Sequence, residues 1–266
     1  MVDEWQQVDA IPGLGADEVQ VWRFDLAQWA RPELEWLRML SSEEAERAGR
    51  LRAGQVRMQF LVGRSCLRQL LGRELEIATD AVGIVTGTYG KPQTSPAHGI
   101  PLHFNVAHSR STVLIALSRT GPVGVDVEYL DRKTDVMEVA RHALTAAEMD
   151  ALRAIADGDA RRSAFFECWT RKEAVVKADG RGLSLALSSF EIPVGATCHM
   201  LPIAVGGNER FVGTRYFVSD LPGGTRDEGG TASAVAVAVQ TSRMRCLVGA
   251  PAVFDPFLGT SKRSRC

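Results

Sequence analysis

Alternating apolar and polar residues predict a strand over residues 123–130, VGVDVEYL. The three valines of this run would share one face, because successive side chains of a strand point to opposite faces. Asp126 and Glu128 would then share the other face, about 7 Å apart along the chain, given the rise per residue of a strand. One hydrated cation can bridge two carboxylates at that spacing.

Helices are predicted on both sides of this strand. Serine or threonine followed three residues later by glutamate is the capping-box pattern that begins a helix, and it occurs at Ser41 and at Thr145. Apolar residues at helical spacing predict longer helices over residues 55–72 and about 160–178. Gly180 is the expected end of the second long helix.

Further strands complete the pattern. Alternating or continuous apolar runs predict strands over residues 19–25, 102–109, 111–118 and 231–239. Residues 87–101 are rich in glycine and proline, which predicts turns. The residues from Gly249 onward are expected to be irregular. Strands and helices therefore occur in both parts of the chain, which predicts an α+β fold of two similar halves, residues 1–120 and 121–266.

Composition limits the classes of function. Lysine and arginine number 31 against 32 aspartate and glutamate residues, so the net charge of -1 predicts no general affinity for nucleic acid or for a membrane. No apolar run is long enough to span a bilayer, and the first residues do not resemble a signal peptide. The five cysteines are scattered without metal-site spacing, so we expect a cytoplasmic location and buried thiols.

A second set of chemically interesting residues lies on the last predicted long helix. Trp169, Glu173 and Lys177 follow one another at four-residue steps and therefore share one helical face. An amphipathic helix with a Glu–Lys pair and a glycine cap would account for this pattern equally well. The pair of carboxylates at Asp126 and Glu128 is likewise common on a solvated strand face.

Taken together, these motifs carry a specific resemblance. FNVAHS (104–109), GVDVE (124–128) and WTRKEAVVKADGRGL (169–183), in this order and spacing, resemble the motifs of the 4'-phosphopantetheinyl transferases of the surfactin-synthetase type. GKP (90–92) fits the same family, and the weaker ERAGR pattern (46–50) extends the match toward the N-terminus.

The resemblance implies a monomer whose two similar α+β halves stand in a pseudo-twofold arrangement, with coenzyme A in the cleft between them. It assigns magnesium (Mg2+) to three carboxylates: Asp126, Glu128 and Glu173. It assigns the phosphates of coenzyme A to four basic residues: Arg47, Lys91, His108 and Lys177.

The activity implied by the resemblance is transfer of the 4'-phosphopantetheine arm of coenzyme A to a serine of an apo acyl or peptidyl carrier protein. Adenosine 3',5'-bisphosphate is the second product. Glu173 would accept the serine proton as general base, and Lys177 would offset phosphate charge. Ala107 departs from the family pattern, because a serine usually precedes the histidine and its hydroxyl would be one phosphate donor more. Carriers of fatty acid, polyketide and nonribosomal peptide synthesis all fit.

Two other functions suit the same residues. Carboxylates with basic neighbours would also serve a magnesium-dependent pyrophosphatase or nuclease. A noncatalytic module that binds coenzyme A or a carrier is the other alternative, and Ala107 favours it.

Overall fold

Two sheets, each with a long helix packed against it, dominate the computed structural model. It describes residues 4–29, 32–52, 54–130, 133–206, 214–222, 231–237, 241 and 243–254. Its helices are α1 (Glu33–Leu37), α2 (Ser42–Arg50), α3 (Gln55–Leu75), α4 (Val136–Ala143), α5 (Ala146–Ala154) and α6 (Gly158–Asp179). Helices and mainly antiparallel sheets are thus combined, and the predicted α+β class is confirmed.

The first sheet has five strands, and α3 packs against it. The strands, in spatial order, are β1 (Gln6–Gln7), β11 (Arg243–Val248), β2 (Glu18–Asp25), β6 (Thr112–Ser118) and β5 (His103–Ser109). β2, β6 and β5 pair antiparallel, whereas β11 runs parallel to both β1 and β2. Leu67 and Leu71 of α3 are fully buried in the same core as Val113 and Ile115 of β6.

The second sheet has four antiparallel strands. They are, in spatial order, β7 (Val123–Tyr129), β10 (Thr231–Val237), β9 (Thr214–Asp220) and β8 (Leu201–Val205). Helix α6 crosses this sheet and packs most extensively on β7 and β10. A separate short hairpin joins β3 (Ile84–Thr86) to β4 (Pro92–Thr94).

Side chains of β5 connect the two sheets. Oδ1 of Asn105 accepts a hydrogen bond from the backbone N–H of Val125 at 3.0 Å, and Oγ of Ser109 accepts one from Tyr129 N–H at 3.2 Å. A third apolar cluster, which includes Ala107, lies behind this junction. β5 and β7 are therefore fixed side by side, which brings the FNVAHS and GVDVE segments together.

The helix starts agree with the sequence predictions. Ser41 and Thr145 each begin a helix, α2 and α5, with both hydrogen bonds of the capping box present. α6 ends at Asp179 and is capped by Gly180, whose φ of 85° lies in the left-handed region that favours glycine. Helix α4 was not predicted, although Asp135 caps it by accepting hydrogen bonds from two backbone N–H groups.

The C-terminal segment belongs to the first sheet. β11 pairs with β2, and Phe254 is fully buried among Trp22, Phe24 and Trp29. Residues 249–254 lack regular structure, as predicted, yet they complete this aromatic core. The division into residues 1–120 and 121–266 stays a prediction. β11 lies within residues 121–266 but pairs in the first sheet, so the sheets do not follow that division at this strand.

Two predictions from composition can be compared with the described residues. Cys168, Cys198 and Cys246 are buried free thiols, as expected, and Cys66 is buried as well, while Cys266 lies outside the described residues. Among the described helices, none has the length and apolar character needed to cross a membrane.

Candidate active site

Strand β7 and helix α6 approach each other unusually closely, and Gly124 permits this. A Cβ atom at Gly124 would lie 2.0 Å from the backbone oxygen of Ala174 and 2.3 Å from the nitrogen of Ala178. Only glycine fits this contact without displacing backbone. The glycine of GVDVE therefore brings the polar face of β7 against the face of α6 that carries Glu173 and Lys177.

Asp126 and Lys177 form the central contact of this junction. Nζ of Lys177 donates to Oδ1 of Asp126 at 2.5 Å. The aspartate side chain is almost fully buried, and its Oδ2 has no hydrogen-bond partner among the described residues. Burial raises the pKa of the Asp126 carboxyl, and the ammonium group of Lys177 opposes that shift. A buried carboxylate oxygen without a donor is costly, so a cation or a donor is expected there.

Glu128 and Glu173 gather further negative charge beside Asp126. The pKa of Glu128 is raised to about 7, mainly by burial and also by the neighbouring carboxylates of Asp126 and Glu173. Lys177 and a hydrogen bond from Trp169 act in the opposite direction. Burial and the charge of Asp126 also raise the pKa of Glu173. The three carboxylates predicted to act together are thus close enough to repel one another.

The chemistry of these donors suits a hard divalent cation. Carboxylate oxygens are the ligands that Mg2+ prefers, usually one or two per ion together with water and substrate phosphates. In the part of the chain that the structure describes, no three acidic, histidine or cysteine side chains are arranged closely enough to enclose a metal ion. Among these donors, Oδ2 of Asp126 is a buried oxygen without a hydrogen-bond partner in the described part of the chain, which suits it to contact a cation.

His108 lies beside this charged group, at the end of β5. Its imidazole is exposed, and partial desolvation lowers its pKa from the ordinary value. The positive charge of Lys177 lowers that pKa further, whereas Asp126 raises it. The structure therefore brings His108 together with Lys177 and Asp126, while its contact with a phosphate stays a prediction.

Lys91 reaches the same region from the turn between β3 and β4. Its Nζ donates to the backbone oxygens of Val123 at 3.0 Å and Ala178 at 3.1 Å. Burial lowers the pKa of Lys91 to about 8, and Asp179 counteracts this shift. The side chain lines the cleft, but its ammonium group donates to protein carbonyls, and its contact with a phosphate stays a prediction.

Arg47 stands on the exposed side of α2. Its guanidinium lies 5.1 Å from the ring centre of Phe60 on α3. The guanidinium of Arg64, which is also on α3, lies 6.0 Å from the same ring centre. Burial lowers the pKa of Arg64, Glu44 opposes this shift, and the charges of Arg47 and Arg68 add to it. Arg47 thus belongs to a cluster of arginines, but no distance ties it to Asp126 or Glu173.

A cleft of about 440 Å3 lies between α6 and the β3–β4 turn. Glu173, Lys177, Lys91 and Asn105 line its polar part. Besides Ala186, six larger apolar side chains form the apolar part: Tyr89, Pro92, Val176, Leu183, Leu185 and Leu187. His142 also lines the cleft, although the sequence offered no partner pattern for it. Its position on α4, next to the apolar loop, could not be read from local spacing.

Lys172 holds the loop that forms this apolar wall. Its Nζ is fully buried and donates to the backbone oxygens of Leu187 at 2.8 Å and Phe190 at 2.6 Å. It also pairs with Glu148 Oε1 at 2.9 Å. The lysine next to Glu173 in the sequence therefore has a structural role, which helical periodicity alone would not have revealed.

The expected effect of Ala107 is not supported. Its side chain is 4% exposed and packs in the apolar cluster between the sheets with Leu114 and Val125. A serine hydroxyl at this position would point into that cluster, because neighbouring strand residues face opposite ways. The alanine therefore does not remove a phosphate donor from the cleft, and it no longer favours a noncatalytic function.

Comparisons with known proteins show which family the sequence resembles. Residues 122–209 match the family described as the 4'-phosphopantetheinyl transferase superfamily. The chain is 33% identical over 183 residues to the 4'-phosphopantetheinyl transferase HetI of Nostoc sp., which covers 68% of this chain and 76% of the relative. It is 29% identical over 157 residues to the 4'-phosphopantetheinyl transferase Sfp of Bacillus subtilis, covering 59% and 67%.

A more distant relative is the L-aminoadipate-semialdehyde dehydrogenase-phosphopantetheinyl transferase of Xenopus laevis. It is 24% identical over 210 residues, covering 75% of this chain and 68% of the relative. The matched superfamily region contains Gly124, the three carboxylates and Lys177, which are the residues that meet between β7 and α6.

Proposed function

The chain belongs to the 4'-phosphopantetheinyl transferase superfamily, and we propose that it transfers the 4'-phosphopantetheine arm of coenzyme A with Mg2+ bound at Asp126, Glu128 and Glu173. The acceptor is a serine of an apo acyl or peptidyl carrier protein, and adenosine 3',5'-bisphosphate is released. The meeting of these three carboxylates with Lys177 at the β7–α6 junction is the observation that carries the proposal.

The proposed metal ligands are supported by the local electrostatics. Three mutually repelling carboxylates and a buried, unpartnered Oδ2 on Asp126 would be stabilised by a divalent cation. When bound, Mg2+ would hold the pyrophosphate of coenzyme A and neutralise part of its charge. The partial exposure of Glu128 and Glu173 leaves room for water or phosphate oxygens at the same ion.

Glu173 is proposed as the general base. The serine oxygen forms a bond to the β-phosphorus, and the bond from that phosphorus to the bridging oxygen breaks, so the electron pair leaves with adenosine 3',5'-bisphosphate. The serine proton passes to the carboxylate of Glu173, directly or through one water. The raised pKa of Glu173 supports this role, since a carboxylate with a higher pKa is a better proton acceptor.

Basic residues around the cleft would bind the phosphates. Lys177 would share its charge between Asp126 and the leaving phosphate, where a fixed positive group lowers the energy of the transition state. His108 is exposed beside Lys177 and can donate to a phosphate oxygen when protonated. Arg47 is proposed for the 3'-phosphate because it clusters with two other arginines, Arg64 and Arg68 of α3.

Further features of the family remain part of the proposal. A pseudo-twofold arrangement is supported by the presence of one long helix, α3 or α6, on each sheet. A monomeric state and a cytoplasmic location are proposed with it, as is the assignment of coenzyme A to a cleft between residues 1–120 and 121–266.

The transfer is tested by intact-mass measurement of the carrier. The chain is incubated with coenzyme A, Mg2+ and a panel of apo carriers from fatty acid, polyketide and nonribosomal peptide synthesis. We expect at least one carrier to gain the mass of one phosphopantetheine group, and its serine-to-alanine variant to gain none. Hydrolysis of coenzyme A at the same rate without any carrier would instead favour a pyrophosphatase.

A further inference from the structure

Lys91 connects three separate elements. It extends from the β3–β4 turn into the wall between the cleft and a second cavity, which His103 and Asp179 help to line. Its Nζ donates to the carbonyl oxygens of Val123 and Ala178. A Cβ placed on Gly180 would lie 3.4 Å from the Lys91 Cδ, so the lysine stem packs directly on the glycine that ends α6.

The two acceptors belong to the elements that carry the proposed chemistry. Val123 is the first residue of β7, three positions before Asp126, and Ala178 follows Lys177 on α6. The last four carbonyls of a helix have no donor within the helix, and Ala178 is among them in α6. A cation at a helix C-terminus is also favoured by the helix dipole. Lys91 therefore caps α6 from another part of the chain and joins it to β7.

The groups around Nζ of Lys91 are oxygen atoms with negative or partial negative charge, which attract an ammonium group and repel a phosphate. An ammonium group has three donors, and two of them are used by the carbonyls. The side chain is partly buried, and Asp179 adds negative charge to its surroundings. One donor at most therefore remains for a phosphate at this nitrogen, and the carboxylate of Asp179 would repel that phosphate.

We propose that Lys91 is a positioning residue that locks β7 to the end of α6, and not a ligand of a coenzyme A phosphate. The proposal rests on the function proposed above, because the lock fixes Glu173 and Lys177 relative to Asp126. It differs from the role that the resemblance implied for this lysine.

Two substitutions separate the two roles. Arginine binds phosphate well through its planar fork, so Lys91→Arg would preserve a phosphate contact. We expect the larger, planar guanidinium not to place one nitrogen between the carbonyls of Val123 and Ala178 as the ammonium does. Lys91→Met keeps the apolar stem and removes all three donors. We expect both variants to lose at least about tenfold in kcat, with KM for coenzyme A changed by less than about threefold.

The binding of adenosine 3',5'-bisphosphate by calorimetry gives a readout independent of catalysis. We expect Lys91→Met to bind it with an affinity close to that of the unmodified protein. Recovery of kcat in Lys91→Arg, together with at least about tenfold weaker bisphosphate or coenzyme A binding in Lys91→Met, would overturn the proposal. Transfer by the unmodified protein, measured first, shows separately whether the proposed function holds.

A spectroscopic test needs no substitution that risks unfolding. The sequence contains five lysines, so selectively labelled lysine Cε and Nζ signals can be assigned one by one. On titration with coenzyme A and Mg2+, we expect the Lys91 signals to stay nearly unchanged while those of Lys177 shift. A Lys91 shift as large as that of Lys177 would identify it as a phosphate ligand and refute the lock.

Discussion

Nζ of Lys177 lies 2.5 Å from Oδ1 of Asp126, so a residue of α6 is bonded directly to one of β7. The lysine neutralises one carboxylate oxygen and leaves Oδ2 without a partner among the described residues. Asp126 is thereby oriented by a fixed cation on one side and available to a second cation on the other. The arrangement links the packing of the helix on the sheet to the proposed chemistry.

Substitution of Gly124 should test that link. Gly124→Ala places a methyl group within 2.3 Å of backbone atoms of α6, so the helix must move away from β7. We expect the free energy of unfolding to fall by about 1–3 kcal/mol or more, as for other overpacked sites, and transfer activity to fall with it. Urea unfolding and the carrier mass assay measure the two effects.

Gly158→Ala is the matched control on the same helix. A Cβ at this position meets nothing within 4 Å, so the variant should retain both stability and activity. Equal behaviour of the two variants would mean that the close approach at Gly124 has no special importance.

The proposed base is tested by Glu173→Gln. Removal of a general base typically slows a reaction by about 10²–10⁴-fold, so kcat should fall within that range at saturating Mg2+. Binding of coenzyme A should change little, because the amide keeps the size of the side chain. Rapid-quench measurement of holo-carrier formation gives the rate.

Glu167→Gln, six residues earlier on the same helix, is the control for Glu173. It lies near Arg171 and away from Asp126, and its activity should remain near that of the unmodified protein. Full turnover by Glu173→Gln would remove Glu173 from the role of base.

Metal binding should depend on pH through Glu128. Its pKa of about 7 means that a proton occupies the carboxyl below neutrality and must leave before a cation binds. The apparent affinity for Mg2+ should therefore be about tenfold weaker at pH 6 than at pH 8, the ratio expected for one group with that pKa. The Mg2+ dependence of the initial rate at each pH measures it.

The same pKa shift predicts the sign of a stability effect. A carboxyl whose pKa is raised in the folded protein contributes less to stability as pH rises from its ordinary value to about 7. Without metal, Glu128→Gln should gain stability relative to the unmodified protein at pH 8 but not at pH 4. Thermal unfolding at both pH values checks this, and an equal effect at both would contradict the assignment.

The buried pair of Lys172 and Glu148 should be important for stability. Lys172→Met leaves the glutamate buried without its cation, which typically costs about 3–5 kcal/mol. The double variant with Glu148→Gln should recover part of that loss, because it removes the unpaired charge. Urea unfolding measures both, and a loss below about 1 kcal/mol in Lys172→Met would show that the pair contributes little.

Local pattern predicted the parts of the site that depend on neighbours in sequence. Strand alternation placed Asp126 and Glu128 on one face, and helical spacing placed Glu173 and Lys177 on another, both as the structure has them. Nothing in either segment indicated that the two faces meet. That information came from the resemblance, and its physical basis is the missing Cβ of Gly124.

Contacts between distant segments were beyond the sequence pattern. The parallel pairing of β11 with β2 joins residues more than 200 positions apart, so no local period reports it. The bonds of Lys91 to Val123 and Ala178 depend on the same kind of long-range placement. Which face of β5 would be core, and therefore where the side chain of Ala107 would point, could not be predicted from the sequence.

The central claim is that Asp126 holds the cation on which transfer depends. Mn2+ is a paramagnetic substitute for Mg2+, and its binding can be followed by electron paramagnetic resonance in the presence of coenzyme A. We expect the unmodified protein to bind one Mn2+ that Mg2+ displaces, and Asp126→Asn to lose both this site and carrier modification. Unchanged Mn2+ binding by Asp126→Asn, with holo-carrier still formed, would contradict the account.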